Sequence, residues 1–326
     1  MSIFFLFFPS FYVFLYPNAF RHSHPFLTFP VPLSYSKINI LTYRRKAISM
    51  THDIRLIALD LDGTLLNEKG LLTSRSARAL TCAHEQGIFI AAATGRAFCA
   101  LPADVVALPA IRYIITSNGT GIYQMPEEKR IYTNAMSREN LEQLLPLLDT
   151  FSCPIEAYID GIAYASADYV ENPEAFHLPP RSCAYVQATR RPCPNMGQLI
   201  RSSSAPVEGI SAVLTAPEAR AALREAAGKI PDLYVTSSAP HFIEFAAGSA
   251  SKESALRVLT QLLGITSAQV MAFGDAENDA EMLSFAGIGV AMGNAAEILK
   301  QIADMVTASN AEDGVAQTIE KLLKTL

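Results

Sequence analysis

What this sequence lacks narrows its class before any motif is read. The five cysteines, Cys82, Cys99, Cys153, Cys183 and Cys193, are odd in number and include no C-x-x-C pair. That pattern argues against a disulfide framework or a zinc site and points to reduced thiols in a cytoplasmic protein. A membrane span needs about 20 apolar residues, and the apolar stretch Ile3–Tyr16 is shorter and broken by Pro9 and Ser10. Basic residues follow that stretch, whereas a secretory signal would carry them in front. An excess of positive charge is missing too. The formal net charge is −5, so the overall balance suggests neither nucleic acid nor an anionic membrane as partner.

The first 49 residues lack acids altogether. They hold nine of the 17 Phe, five Pro and five Lys or Arg, and the rest of the chain keeps 21 basic against 31 acidic residues, a charge of −10. Met50 then opens a segment that reads at once as a first strand. Residues 1–49 are expected to be a disordered leader or a mis-assigned start, with a membrane anchor or targeting peptide as the alternative.

The remainder is half hydrophobic and sparsely charged, as a globular chain with more than one core should be. Ile54–Leu59, Phe89–Ala93, Tyr113–Thr116, Val270–Phe273 and Ile288–Ala291 are short apolar runs of the kind that form buried parallel strands. Helical patterns alternate with them. Thr73 should cap a helix running to about Gln86, a helix is expected from Thr94 through about Val106, Lys252–Leu263 reads as a helix stopped by Gly264, and a last helix spans 311–324. Alternation of this kind predicts a doubly wound, Rossmann-like α/β core with right-handed crossovers. Residues 134–245 break the pattern. Helix signals stand at 138–149 and 216–227, the second with a capping box Thr215-x-x-Glu218. Strand-like stretches stand at Ile155–Tyr164, Ser211–Leu214 and Phe242–Phe245. Pro179-Pro180 and Ser202–Pro206 read as loops. The expectation is an α+β cap inserted into a core made of 50–133 and 246–326, hinged near Thr133–Asn134 and Ala246–Gly248.

In a doubly wound sheet, ligands sit beyond the carboxyl ends of the strands. Those positions carry Asp60-Leu61-Asp62-Gly63-Thr64, Thr94-Gly95-Arg96, Ser117-Asn118-Gly119 and Gly274-Asp275-Ala276-Glu277-Asn278-Asp279. Acidic or small hydrogen-bonding residues thus follow four separate strands. Asp60-x-Asp62-Gly63 alone could be a solvated acidic turn, but a buried strand precedes it and Leu65-Leu66 follow. It is not an EF-hand, whose glycine falls at the sixth position. Gly287-x-Gly289-x-x-x-Gly293 is one residue too long for the dinucleotide fingerprint. Asn118-Gly119-Thr120 matches a glycosylation sequon but lies at a strand end.

These motifs, in this order, resemble those of the haloacid dehalogenase superfamily. Asp60-Leu61-Asp62-Gly63-Thr64 is similar to its first motif, Thr94-Gly95-Arg96 to its second, Lys252 to its third and Gly274–Asp279 to its fourth. The long insert and the ending Ala291-Met292-Gly293-Asn294-Ala295 resemble the Cof-like sugar phosphatases within it. The resemblance covers 54–326 and implies a Mg²⁺-dependent phosphatase for small phosphorylated metabolites. It makes Asp60 the nucleophile that forms an aspartyl-phosphate and Asp62 the general acid, then base. Mg²⁺ would be held by the carboxylates of Asp60 and Asp275 and the main-chain carbonyl of Asp62, with Asp279 behind them. Lys252 would hold the phosphoryl group, and Thr94, the Gly95 N–H and Asn278 would bind phosphate or substrate. Arg96 reads as a structural ion-pair partner outside the catalytic set, and His241 as a residue packed at the cap edge. A phosphomutase or phosphotransferase with the same nucleophile, and a metabolite-binding protein with a relic site, are the competing functions.

Overall fold

The computed structural model describes residues 53–325; the expectations for residues 1–49 lie outside them. The chain first forms β1 (Leu56–Leu59), β2 (Phe89–Ala93), β3 (Ile111–Thr116), β4 (Gly121–Gln124) and β5 (Lys129–Thr133). It then forms β6 (Ile155–Ile159), β7 (Ile162–Ser166), β8 (Arg191–Cys193), β9 (Val207–Val213), β10 (Leu233–Thr236) and β11 (Phe242–Ala247), and returns with β12 (Val270–Gly274), β13 (Ile288–Ala291) and β14 (Met305–Val306). Two sheets result. One has the order β14-β13-β12-β1-β2-β3-β4-β5, the other β10-β11-β9-β6-β7-β8. The first is the doubly wound α/β core and the second belongs to an inserted α+β cap.

From β14 to β3 the core pairs are parallel, while β3–β4 and β4–β5 are antiparallel. Every residue of β1 is buried, because a parallel strand is covered by helices on both faces and gains from apolar side chains on each. Local chemistry sets the ends of the helices. Thr73 accepts the N–H of Ser76 and starts the helix Ser74–Glu85, a contact worth about 1 kcal/mol. Ser251 caps Lys252–Leu263 in the same way, and Gly264 ends it in the left-handed conformation. Ser74–Glu85 and the last helix, Gly314–Leu323, pack together and are joined by the two-pronged Arg75–Glu320 pair. The cap has its own apolar core, in which Leu141, Leu144, Ile210, Leu223 and Phe245 meet.

Several local expectations are corrected. No helix starts at Thr94: residues 94–97 are irregular, Phe98–Ala100 is a single 3₁₀ turn, and only Ala103–Val106 is α-helical. Pro102 explains this, since a proline disfavours helical geometry in the residue before it, and Leu101 is extended. The Thr215–Glu218 capping box does not form. Pro217 takes the first helical position, Ala216 becomes the cap residue, and no side chain caps it. Pro180 is not in a loop but opens the helix Pro180–Thr189, a position where its missing N–H costs nothing. The last helix begins at Gly314 and not at 311. Ile155–Tyr164 is two strands folded at Asp160-Gly161, both with positive φ. The β4–β5 hairpin carried no strand signal because β5 is a short edge strand rich in charge.

Candidate active site

The chain leaves β1 in one direction across the sheet through β2 and β3, and later fills the other side through β12, β13 and β14. The point of reversal lies between β1 and β12, which are hydrogen-bonded neighbours. Asp60 follows β1 and Asp275 follows β12, so the two carboxylates leave the sheet side by side. Thr94 follows β2 on the same edge. Gly63 permits the approach of the first loop to the fourth: its φ is +86°, and a β-carbon there would stand 2.3 Å from Oδ2 of Asp275. Thr64 then donates to Oδ1 of Asp275 at 2.9 Å.

Beneath these loops lies a buried ionic cluster. Lys252 is fully buried, and its Nζ donates to Oδ1 of Asp60 at 2.6 Å and to Oδ1 of Asp279 at 2.7 Å. The other oxygen of Asp279 accepts the main-chain N–H groups of Asp275 and Ala276, at 2.9 and 3.0 Å. Asp279 is therefore engaged on both oxygens and fixes both the ammonium and the loop that bears Asp275. Burial lowers the proton affinity of the Lys252 ammonium, but Asp279 and Asp60 outweigh burial and leave it raised. Burial, followed by repulsion from Asp279 and Asp275, pushes the Asp60 carboxyl well above the ordinary range despite Lys252. Burial and Asp279 push Asp275 up to about 7.

The sequence-predicted residues thus fall into two groups. Asp60, Lys252, Asp275 and Asp279 meet in one cluster. Asp62 lies at its rim, half-exposed, with both carboxylate oxygens accepting from Arg96 at 2.7 Å. Arg96 in turn donates to the carbonyl of Ala100, and its guanidinium lies 4.5 Å from the ring centre of the cap residue Tyr185. Thr94 is buried, and its hydroxyl accepts the N–H of Arg96, so it stands in a turn and not at a helix terminus. Asn278 donates to Oδ1 of Asn118 at 2.9 Å. His241 packs on Phe242 in the cap, with a ring distance of 4.3 Å, and burial lowers its proton affinity.

The sequence reading placed Thr64 and Asn118 at strand ends without giving them a role, and it missed the cap residues Glu208, Arg224 and Glu244. Asn294 was quoted only as part of an ending, yet it ties the first loop to the region beyond β13. Its amide donates to the carbonyl of Gly63 at 2.8 Å and its oxygen accepts the N–H of Asn310. Arg224 grips Glu277, a residue of the fourth motif, at 2.7 and 3.2 Å. Glu208 accepts from Ser117, Arg130 and the N–H of Gly161. Glu208, Arg224 and Glu244 could not be found by strand-end position, because they arrive from the cap.

The donor set fits a hard divalent cation. Carboxylate oxygens of Asp60, Asp275 and Asp279 lie within 4.8 Å of one another, and three carboxylates face a single ammonium. Such an excess of buried negative charge is costly unless a cation neutralises it. Oxygen-only ligation suits Mg²⁺. The residues whose carboxylates could hold such an ion are Asp60, Asp275 and Asp279.

Comparison with known proteins agrees with this geometry. Residues 57–319 match the model of the haloacid dehalogenase-like hydrolases. The chain is 32% identical over 289 residues to a Bacillus subtilis phosphatase, YwpJ, covering 83% of this chain and all of that protein. It is 30% identical over 271 residues to YcsE of the same organism, a 5-amino-6-(5-phospho-D-ribitylamino)uracil phosphatase, covering 82% of this chain and 95% of the relative. A solved structure of a subclass IIB sugar phosphatase of the superfamily, BT4131, superposes with a TM-score of 0.71 at 25% identity, covering 83% of this chain and all of that one. The chain belongs to the haloacid dehalogenase-like hydrolases, and it is a phosphatase for small phosphorylated substrates.

Proposed function

We propose that this phosphatase works through an aspartyl-phosphate on Asp60, depends on Mg²⁺, and takes sugar or polyol phosphates. The observation that carries the reading is the pairing of Asp60 with the buried Lys252 ammonium. One oxygen of Asp60 is held by Lys252, which aims the other and places a positive charge where a phosphoryl group must come. An oxygen of Asp60 attacks phosphorus, the bond to the leaving oxygen breaks, and Asp62 gives that oxygen a proton. Water then attacks phosphorus while Asp62 takes its proton, so that inorganic phosphate leaves and the Asp60 carboxylate is restored. Bound at Asp60, Asp275 and the Asp62 carbonyl, Mg²⁺ would offset the repulsion between carboxylate and phosphate. Thr94 and the Gly95 N–H supply neutral donors to the phosphate, and Asn278 an amide beside it. Arg96 orients Asp62 through both of its carboxylate oxygens.

The cap, taken as residues 134–245 between hinges at Thr133–Asn134 and Ala246–Gly248, acts as the lid that excludes water and selects the leaving group. The substrate class rests on the relatives: the YcsE substrate carries its phosphate on a ribityl chain, and BT4131 is a sugar phosphatase. Five unpaired thiols suit a reducing compartment, so the proposed site of action is the cytoplasm. Among the described residues no helix is long and apolar enough to cross a membrane, and small metabolites are the only partners the reading requires.

The test is covalent trapping. Borohydride treatment of enzyme turning over a sugar phosphate with Mg²⁺ should reduce an acyl-phosphate at Asp60 and at no other residue. EDTA should abolish turnover and Mg²⁺ should restore it. Label elsewhere, or activity in EDTA, would refute the mechanism. Isomerised sugar phosphate in place of free phosphate would identify a mutase.

A further inference from the structure

The inside of the cap poses an electrostatic problem. A phosphatase must attract a dianion, yet the cap presents carboxylates to the strand-end site. Glu156, Ser211 and Glu244 stand opposite one another across β6, β9 and β11. Their neighbours in sequence, Ala157, Ala212 and Ile243, point the other way into the cap's apolar core, so this polar row lies on the opposite face. That face meets the site: a β-carbon on Gly95 would lie 3.4 Å from Oε1 of Glu244 and 3.2 Å from Oδ1 of Asn118.

Both carboxylates are buried, with exposures of 0% for Glu156 and 5% for Glu244. Glu156 Oε2 accepts from Arg190 at 2.7 and 2.8 Å and from Tyr158 at 3.1 Å, and the Tyr169 hydroxyl is a further hydrogen-bonding neighbour of this carboxylate. Glu244 Oε1 accepts from Ser238 at 2.9 Å, while Oε2 has no partner. A buried acceptor left without a donor is unfavourable and calls for an explanation. The cations nearby are already engaged. Arg190 pairs with Glu156, Arg96 with Asp62, and Arg220 donates to the carbonyls of Leu214 and Phe242. Arg224 and Glu277 pair with each other, and Lys252 is held by Asp60 and Asp279. Among the described residues, this face therefore carries two buried carboxylates, of which Glu156 is ion-paired and Glu244 is not.

We propose that Glu244, with Glu156 behind it, is the specificity-determining acceptor for hydroxyl groups of the leaving group, and that it rejects a leaving group bearing a second anion. This deepens the sugar- or polyol-phosphate reading and rests on it. A hydroxyl entering beside Gly95 meets Oε1 of Glu244, the oxygen that faces this glycine, as a second donor beside Ser238, whereas a second phosphate meets a carboxylate. Burial holds the Glu244 carboxyl above its ordinary range, as an acceptor awaiting a donor should be.

The experiment compares three substrates: ribitol 5-phosphate, p-nitrophenyl phosphate, which has no hydroxyl to recognise, and fructose 1,6-bisphosphate. In Glu244→Gln, kcat/KM for the polyol phosphate should fall by about 10- to 100-fold, carried mainly by KM, because a charged acceptor has been exchanged for a neutral one. Turnover of p-nitrophenyl phosphate should stay within about 3-fold, and the bisphosphate should improve. Glu244→Asp, which keeps the charge and withdraws the oxygen, should lose the polyol phosphate without gaining the bisphosphate, and it provides the answer if the glutamine variant does not fold. Equal losses on polyol phosphate and p-nitrophenyl phosphate, or no loss on the polyol phosphate, would overturn the proposal. Survival of p-nitrophenyl phosphate hydrolysis in Asp60→Asn would instead remove the underlying mechanism, a distinct outcome.

Discussion

The core and the cap each bury an ionic cluster, and the two are balanced differently. In the cap, Arg190 and Glu156 cancel one another, with Tyr185 and Tyr158 stacked near the guanidinium at 4.8 and 5.8 Å. In the core, one ammonium, that of Lys252, faces Asp60, Asp275 and Asp279. Desolvation penalises every one of these charges, so the unbalanced cluster is a standing cost to folding that the balanced one avoids. The contrast separates a site built to receive positive charge from a pair that holds the cap sheet in shape. Proteins store such local instability where they react.

That contrast can be broken from the core side first. Asp60→Asn should lower turnover by on the order of 10⁵-fold or more, as removal of a nucleophile does, while raising the melting temperature of the metal-free protein because one of three crowded carboxylates is gone. Steady-state kinetics and calorimetry on the same sample read both signs; a loss of stability alongside the loss of activity would mean that Asp60 is a structural partner of Lys252. Asp62→Asn should cost about 10²- to 10⁴-fold on an alkyl phosphate, the usual range for proton transfer. The loss should be far smaller on p-nitrophenyl phosphate, whose leaving group hardly needs a proton. An equal penalty on both substrates would contradict the assignment.

On the cap side, Arg190→Met should destabilise the protein by about 3–5 kcal/mol, since it strands a buried Glu156. The turnover of p-nitrophenyl phosphate per folded molecule should change little. Thermal unfolding combined with active-site titration measures the two separately.

The smallest effect is on pH dependence without metal. The Asp275 carboxyl titrates near 7 in the fold against about 3.9 in the unfolded chain. The fold therefore prefers the protonated form. The contribution of this carboxyl to stability is full below about pH 4 and is lost as pH rises through about 7. Asp275→Asn should flatten that profile, and Mg²⁺ should raise the melting temperature more at pH 7.5 than at pH 5. A metal-free melting temperature that climbs through this range would show that the cluster is not overloaded with negative charge.

Much of the core was legible in the sequence because its signals are local. Apolar runs such as Leu56–Leu59 are strands wherever a sheet can bury both faces, and Lys252–Leu263 carries its own cap and stop. The acids at the strand ends were legible because topology carries every parallel strand end to one edge. The cap was less legible. Thr215 and Glu218 have capping-box spacing, yet Pro217 moves the start of the helix by one residue. Thr94 lacks its helix because Pro102 extends the residue before it.

The sequence by itself determined the order of the core elements and the acids at their ends, since each follows from residue type and short-range pattern. Only the tertiary structure decided which charges share a cation. It joined Lys252 to Asp60 across 192 positions, Arg96 to Asp62 across 34, and set Glu244 of the cap beside Gly95 of the core. Coulomb energy depends on distance and burial and takes no account of separation along the chain, so no reading of spacing could have supplied these contacts.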